Sequence, residues 1–408
     1  MVRILVVGAG RVGAPLAAWL STKLDDVESV TAVDNNPQVC AWMRDGTFPW
    51  PEPGLNEAIL DGRENNKLFV VEDFSSIEDA SPFDMAFVCV GTPVSDSGEP
   101  QIGHVMQIVR TLKDTQIIIR STVPPGTCDK MSTVLGRPVI HAPERLLLGN
   151  GMAELDGLPQ IVGSTHLTGS LDEQHNIAIK FLIDTFPSVV LGTAVEAELA
   201  KICNNTVRYV EFALGTELSL LMGYAGADCH KVRKMMTEGY GRGRLAFPSF
   251  VSSYCLTKDW QMLQHQGLES SFAIAAYDFN QNLFKRLGAR DLHHANNVGV
   301  LGLTYKPGQD DTRSSLTWDL LKWLKSEGVT GTLVHDPLIK LTAEQELEHG
   351  AYSVACLSDL LEVCDLIFVM TAHDEYAQIR PRADTVFIDP AGIVPVGNHS
   401  DFVRSVED

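Results

Sequence analysis

The sequence predicts an α/β fold in which two doubly wound parallel-sheet domains are joined by a long central helix and a helical middle domain. Three observations predict it. Short β-branched runs alternate with amphipathic stretches through the first half of the chain, a long helical periodicity with little Gly or Pro takes over near Val195, and strand character returns at Val298. Strands that alternate with helical stretches are the pattern of βαβ units, whose crossovers cover both faces of a parallel sheet.

In chain order, Ile4 to Val7 is a strand, Pro15 to Leu24 a helix, Val30 to Val33 a strand, Met85 to Val90 a strand, Val105 to Lys113 a helix and Ile117 to Arg120 a strand. Apolar residues from Val195 to Met222 recur at three- and four-residue spacing, and Leu256 to Leu287 reads the same way. A strand follows at Val298 to Leu303, then a helix around Trp318 to Glu327 and strands at Thr332 to His335 and Leu366 to Thr371. This divides the chain into residues 1–190, 191–293 and 294–408. A length of 408 residues suits two or three domains, at roughly 100–200 residues each.

Composition narrows the function. Hydrophobic residues at 45% and charged residues at 21% describe a folded, water-soluble chain. The formal charge of −20 repels phosphate backbones and anionic lipid, which argues against a nucleic-acid partner. Any ligand phosphates must then be held by local devices such as helix N-termini, backbone amides or a few placed cations. The eight cysteines are scattered without a C-x-x-C pair, several within apolar runs, so most are expected as small core residues in a reducing compartment. The opening apolar stretch is too short for a signal h-region, and no window approaches a membrane span of about 18 apolar residues, so a cytoplasmic protein is expected.

Gly8-x-Gly10-x-x-Gly13 directly follows a predicted strand and opens a predicted helix. A tight turn at Gly8, a bare backbone at Gly10 and close packing at Gly13 are what a dinucleotide's pyrophosphate requires at a helix N-terminus. Asp34 lies 21 residues beyond Gly13, close to the roughly 20 expected of the carboxylate that binds a ribose 2′-hydroxyl. An acid there disfavours a 2′-phosphate, so NAD is expected over NADP, and the sheet is expected to be Rossmann-like.

Further along, Lys201 and Asn205 stand four apart and share one helix face, an ammonium beside a carboxamide where a developing oxyanion could be held. The same spacing also suits a solvated polar face. Cys255 has Lys258 and Asp259 within four residues. The cation favours thiolate and the carboxylate suits activation of water against a thioester, although an isolated cysteine is more often inert core. Thr92, Thr122 and Glu144 each follow a predicted strand, where doubly wound folds bind ligands. Each also suits a cap or turn.

These segments occur in an order that resembles the UDP-glucose/GDP-mannose dehydrogenase family over nearly the whole chain: the glycine loop with Val12, Asp34, Val90-Gly-Thr-Pro93, Ser121-Thr-Val-Pro-Pro-Gly-Thr127, Pro143-Glu144, Glu198-x-x-Lys201-x-x-x-Asn205, Glu217, Cys255-x-x-Lys258-Asp259, Gly302-Leu-x-Tyr-Lys306-Pro, Asp310-Asp311-x-Arg313-x-Ser315 and Asp336-Pro337. The resemblance implies a four-electron oxidation of a nucleotide-linked sugar at its sixth carbon, reducing two NAD and giving a uronic acid for polysaccharide biosynthesis. Lys201 and Asn205, with an ordered water, would stabilise the alkoxide. Cys255 would form the thioester, and Asp259, Glu144 and Thr122 would activate and place the hydrolytic water.

By the same resemblance, Gly8, Gly10, Val12, Gly13, Asp34, Thr92, Thr122, Lys258 and Arg313 are cofactor contacts. Glu144, Arg145, Lys201, Asn205, Arg208, Tyr254 and Lys306 face the substrate, which would lie between the two α/β domains. Positive charge at Lys201, Lys258, Lys306 and Arg313 would offset the acidic mean field. No metal is implied, and the helical middle would form a homodimer. Pro143-Glu144-Arg145 with Gly149 and Glu154-Leu155, Asn205-Thr206-x-Arg208 and Tyr305-Lys306 resemble the branch that acts on UDP-N-acetylhexosamines.

Two departures stand out. The family's paired glycines before the nucleophile are replaced by Ser252-Ser253-Tyr254, and Asp389-Pro-Ala-Gly392 lacks the family's Arg-Asn pair. Two other readings stay open at this point: a two-electron hydroxyacid dehydrogenase, which has no need of Cys255 or a second α/β domain, and an NAD-binding scaffold without catalysis.

Overall fold

The computed structural model describes residues 1–73, 75, 83–95, 97–165 and 173–395. The tail of the expected third region, 396–408, lies outside the described residues. The chain divides into two compact units, Met1–Asn204 with Gln261–Glu269, and Asn205–Trp260 with Ser270–Asp408.

The first unit runs β1 (Val2–Val7), α1 (Gly13–Lys23), β2 (Val27–Val33), α2 (Pro37–Asp45), α3 (Leu55–Glu64), β3 (Leu68–Val71), β4 (Met85–Val88), α4 (Gly103–Thr111), β5 (Gln116–Ile119), α5 (Thr127–Leu135), β6 (Ile140–His141), α6 (Gly151–Gly157), β7 (Gln160–Ser164), α7 (Glu173–Thr185) and β8 (Val189–Thr193). Its eight-stranded sheet has the order β3-β2-β1-β4-β5-β6-β7-β8. Period-2 side-chain geometry explains why it is buried on both faces: Ile4 and Val6 of β1 enter one core cluster, Leu5 and Val7 the other. The order reverses between β1 and β4, the place where doubly wound sheets hold ligands. One expectation is corrected here, because β7 pairs with β6 antiparallel in an otherwise parallel sheet. Strand periodicity is the same for either direction, so the sequence carried no sign of it.

Helix α8 (Ala194–Tyr224) follows, then α9 (Cys229–Thr237), α10 (Tyr254–His265) and α11 (Ser271–Leu292). The helical stretch expected from Leu256 to Leu287 is thus broken. Gly267 takes φ +75, and Ser270 caps α11 by accepting from Ala273 N–H at 3.2 Å. The second unit continues β9 (Val298–Leu301), α12 (Leu316–Ser326), β10 (Thr332–His335), α13 (Ala343–His349), β11 (Ala351–Ser353), α14 (Leu357–Val363), β12 (Leu366–Val369) and β13 (Val386–Ile388). These strands form a parallel sheet in the order β11-β10-β9-β12-β13, again buried on both faces. Among the described residues, no helix is long and apolar enough to cross a membrane.

Candidate functional site

The glycine loop has the geometry a dinucleotide needs. Gly8 turns at φ +91, and a Cβ at Gly13 would come 1.8 Å from the Gly8 carbonyl oxygen, so only glycine fits there. A Cβ at Gly10 would meet nothing within 4 Å, which leaves open space above the backbone. Helix α1 begins at Gly13, with Val12 at its N-cap, no side-chain cap and no acid in its first turn. Ala14 N–H donates to the Gly10 carbonyl at 2.9 Å and Pro15 has no N–H, so what the helix start offers an anion is chiefly its partial positive charge. Asp34, one residue past β2, accepts from Ala9 N–H at 2.8 Å and from Asn36 N–H at 2.9 Å, tying the loop to the strand end. These residues fit NAD. Arg11 of the loop lies 4.7 Å from the Trp50 ring centroid, a contact that no spacing rule foresaw.

The neighbouring strand ends converge. Thr92, four residues past β4 because that strand stops at Val88 and not Val90, donates from Oγ1 to the Thr122 carbonyl at 2.6 Å. Glu198, fully buried on α8, accepts from Gly126 N–H at 2.6 Å and Cys128 N–H at 2.8 Å, satisfying amides at the start of α5. Burial pushes the Glu198 carboxyl up, against the pull of those amides. This contact ties the loop carrying Thr122 to the helix carrying Lys201.

Glu144 is buried with both oxygens engaged. Oε2 pairs with the Arg120 guanidinium, and Oε1 accepts from the N–H groups of Arg145 at 2.7 Å and Leu146 at 3.0 Å. Arg120 is itself fully buried and donates from Nη1 to Gln160 Oε1 at 2.9 Å. Sequence reasoning missed this arginine; a charged residue closing the apolar run Ile117-Ile118-Ile119 was the available signal. His141 stands near both Arg120 and Lys201, and burial first, then those charges, depress it to about 3. The Arg145 guanidinium reaches the Pro159 carbonyl.

On α8, Lys201, Asn205 and Arg208 follow one another on one face, with Asn205 buried and Arg208 exposed. Asn205 Nδ2 donates to Asp259 Oδ2 at 2.6 Å, and Lys258 Nζ lies 2.7 Å from Asp259 Oδ1. Asp259, Lys258 and Cys255 occupy the first turns of α10, with Cys255 at its second residue and exposed. Arg313 lies over the Tyr254 ring at 4.8 Å and grips Asp311 with two nitrogens. Lys306, past the end of β9, is half-buried, and its carbonyl accepts from Thr304 Oγ1 at 3.2 Å.

All eight cysteines are free, but only Cys40, Cys128 and Cys364 are buried, which corrects the expectation of a mostly core set. Burial pushes Cys89 up to about 12 and Cys364 to about 11, leaving them unreactive thiols. Exposed Cys255, at the positive end of a helix, is a different case. Among the described residues, no group of three or more His, Cys, Asp or Glu could hold a metal ion.

Three family models match in order. Residues 2–177 match the NAD binding domain of the UDP-glucose/GDP-mannose dehydrogenase family, 195–282 its central domain and 299–399 its UDP binding domain. The chain is 27% identical to the UDP-N-acetyl-D-mannosamine dehydrogenase of Pyrococcus horikoshii over 97% of both chains. It is 25% identical to the GDP-mannose 6-dehydrogenase of Pseudomonas aeruginosa over 97% of this chain and 94% of that one. The solved structure of the UDP-D-ManNAc dehydrogenase from Pyrococcus horikoshii shares the fold with a TM-score of 0.81 at 23% identity, over 96% of this chain and 100% of that one. The chain belongs to the UDP-glucose/GDP-mannose dehydrogenase family and is an NAD-dependent nucleotide-sugar dehydrogenase.

Proposed function

We propose that this dehydrogenase oxidises the C6 hydroxyl of a UDP-N-acetylhexosamine to a carboxylate in two steps through a Cys255 thioester. The observation that carries the reading is the 2.6 Å hydrogen bond from Asn205 to Asp259. It joins an alkoxide-stabilising group to a water-activating one, a single helical turn from an exposed cysteine at a helix N-terminus.

The C6 hydroxyl loses its proton to solvent water, and the Lys201 ammonium and the second N–H of the Asn205 amide stabilise the resulting alkoxide, which gives up a hydride to become the aldehyde. NAD supplies the hydride acceptor in both oxidations. The Cys255 thiolate adds to the aldehyde carbon, forming a C–S bond, and loss of the second hydride from that adduct leaves the thioester. Water then adds to the thioester carbonyl, with Asp259 and Glu144 assigned to activate and place it and Thr122 to help position it. The C–S bond breaks, the thiolate returns and the uronic acid leaves. Gly8, Gly10, Val12, Gly13 and Asp34 would hold the cofactor, and Thr92, Thr122, Lys258 and Arg313 are assigned as further cofactor contacts. Arg145, Arg208, Tyr254 and Lys306 complete the substrate contacts.

Support for the hexosamine comes from the Pro143-Glu144-Arg145 and Asn205-Thr206-x-Arg208 runs and from the Pyrococcus relative that acts on UDP-N-acetyl-D-mannosamine. The chain works as a cytoplasmic homodimer in making sugar acids for polysaccharides. For the dimer, Val207, Leu214 and Leu221 recur every seven residues on α8 with exposures of 54%, 47% and 55%, an apolar stripe suited to a second copy of the same helix. NADH formation with a panel of UDP-, dTDP- and GDP-linked sugars, run beside Cys255→Ala, tests the reaction. Two NADH per sugar, with no acid released by the variant, is expected. One NADH per sugar, or a variant as active as the parent, refutes the thioester route.

A further inference from the structure

Where the family resemblance leads one to expect paired glycines, this chain carries side chains, and the structure gives them partners. Ser252 Oγ accepts from the Leu316 N–H at 2.8 Å, the first amide of α12. That helix already has its own cap, Ser315, which accepts from Thr317 N–H at 3.3 Å, so Ser252 is a second acceptor brought from another segment. Tyr254 lies under the Arg313 guanidinium, 4.8 Å from ring centroid to Cζ. Asp311 fixes the same guanidinium through Nε at 2.9 Å and Nη2 at 2.7 Å. A glycine at 252 or 254 could make neither contact. Between these anchors Ser314 takes φ +54, a left-handed conformation that a non-glycine residue adopts only when its surroundings hold it there. Two side chains on the segment before Cys255 therefore pin the 311–316 loop from one side.

We infer that Ser252 and Tyr254 are positioning residues that hold Arg313 beside Cys255, where its positive charge favours the thiolate. The inference rests on the reading of Cys255 as the nucleophile. Tyr254, Lys258 and Asp259 share the helix of Cys255, and Arg313 and Asp311 belong to the loop that Ser252 and Tyr254 contact. Lys258 and Asp259 pair with each other at 2.7 Å. Arg313 and Asp311 also pair, with the arginine side chain 57% exposed and the aspartate 5%, so the cation is the solvent-facing member of the pair. Asp311 raises the Arg313 pKa first, and Cys255 is among the charges that add to it. Position at the second residue of α10 acts in the same direction through the helix dipole. Ionisation releases the thiol proton to solvent.

The test is the pH dependence of Cys255 alkylation by iodoacetamide in the full chain, read by mass spectrometry of the Cys255 peptide. Exposed Cys203 and Cys356 serve as internal controls for folding. Arg313→Gln should raise the alkylation midpoint by about 0.5–1 pH unit and slow the reaction at pH 7 about 3- to 10-fold. Tyr254→Gly and Ser252→Gly should shift it the same way by a smaller amount, while Tyr254→Phe, which keeps the ring face, and Arg313→Lys, which keeps the charge, should stay near the parent. If Tyr254→Gly fails to fold, Tyr254→Leu takes its place. An unshifted midpoint in Arg313→Gln, or in both Ser252→Gly and the Tyr254 variant without a ring, overturns the inference. A Cys255→Ala enzyme that still yields two NADH per sugar would instead overturn the nucleophile assignment and leave the alkylation result standing.

Discussion

Replacing Arg120 by Met removes the buried cation beside Glu144 while filling much of the same space. Arg120 is fully buried and Glu144 nearly so, and the carboxylate keeps only the two amides of Arg145 and Leu146. Breaking a buried pair from one side costs about 3–5 kcal/mol. Met fills much of the vacated space and the carboxylate keeps its two amides, so the loss should lie toward the lower end, about 3–4 kcal/mol. Thermal unfolding of the full chain should show a midpoint lower by roughly 6–16 °C at pH 7, at 2–4 °C per kcal/mol. Adding Glu144→Gln should restore most of it. A drop of under about 2 °C, or no rescue by Glu144→Gln, would show that the pair does not hold this part of the fold.

Gly13→Ala should abolish NADH binding in a fluorescence titration and lower the melting midpoint, because its Cβ would lie 1.8 Å from the Gly8 oxygen. Gly10→Ala meets nothing within 4 Å, so it should leave the midpoint unchanged and weaken NADH about tenfold or more by blocking phosphate approach. Burial pushes Asp389 up to about 6; as a raised acid it stabilises most below the ordinary carboxylate range, and that contribution is lost as pH rises through about 6. Asp389→Asn should raise stability at pH 7 by up to about 3 kcal/mol and flatten unfolding midpoints measured between pH 4 and 7. Glu198→Ala removes both acceptors at the start of α5 and should cost about 3 kcal/mol in thermal unfolding. It should also lower kcat, because the Thr122 loop loses its tie to α8.

The strands at the centre of each sheet were legible because burial on both faces leaves short runs without a polar residue, such as Ile4 to Val7 and Val298 to Leu301. The glycine loop was legible because Gly8 and Gly13 answer to backbone constraints that no other residue satisfies. Strand direction at β7 was not, since alternation has no sign. The break between α10 and α11 was marked by Gly267 and the capping Ser270, yet the apolar period on either side masked it. The residues hardest to read were those that act on distant parts of the chain across long sequence separations. Arg120 on Glu144, Glu198 on the 126–128 amides and Ser252 on Leu316 are joined by chain folding alone, and no local spacing reports such pairs.

The cations of the site also have a different part than their charges suggest. Four basic residues seemed enough to offset a net charge of −20 around an anionic cofactor and substrate. Two of them, Lys258 and Arg313, have a carboxylate within 2.7 Å, so each pair is close to neutral beyond its immediate surroundings. At a Debye length of about 8 Å such pairs attract little from solution. They act instead as oriented dipoles, the ammonium of Lys258 turned onto Asp259 and the guanidinium of Arg313 turned outward over Tyr254. The start of α1, with no side-chain cap and no acid in its first turn, offers an anion a partial positive charge that is fixed by the backbone and needs no counterion. A strongly acidic chain can thus take up an anionic cofactor without a basic patch, provided the start of a helix faces the anion.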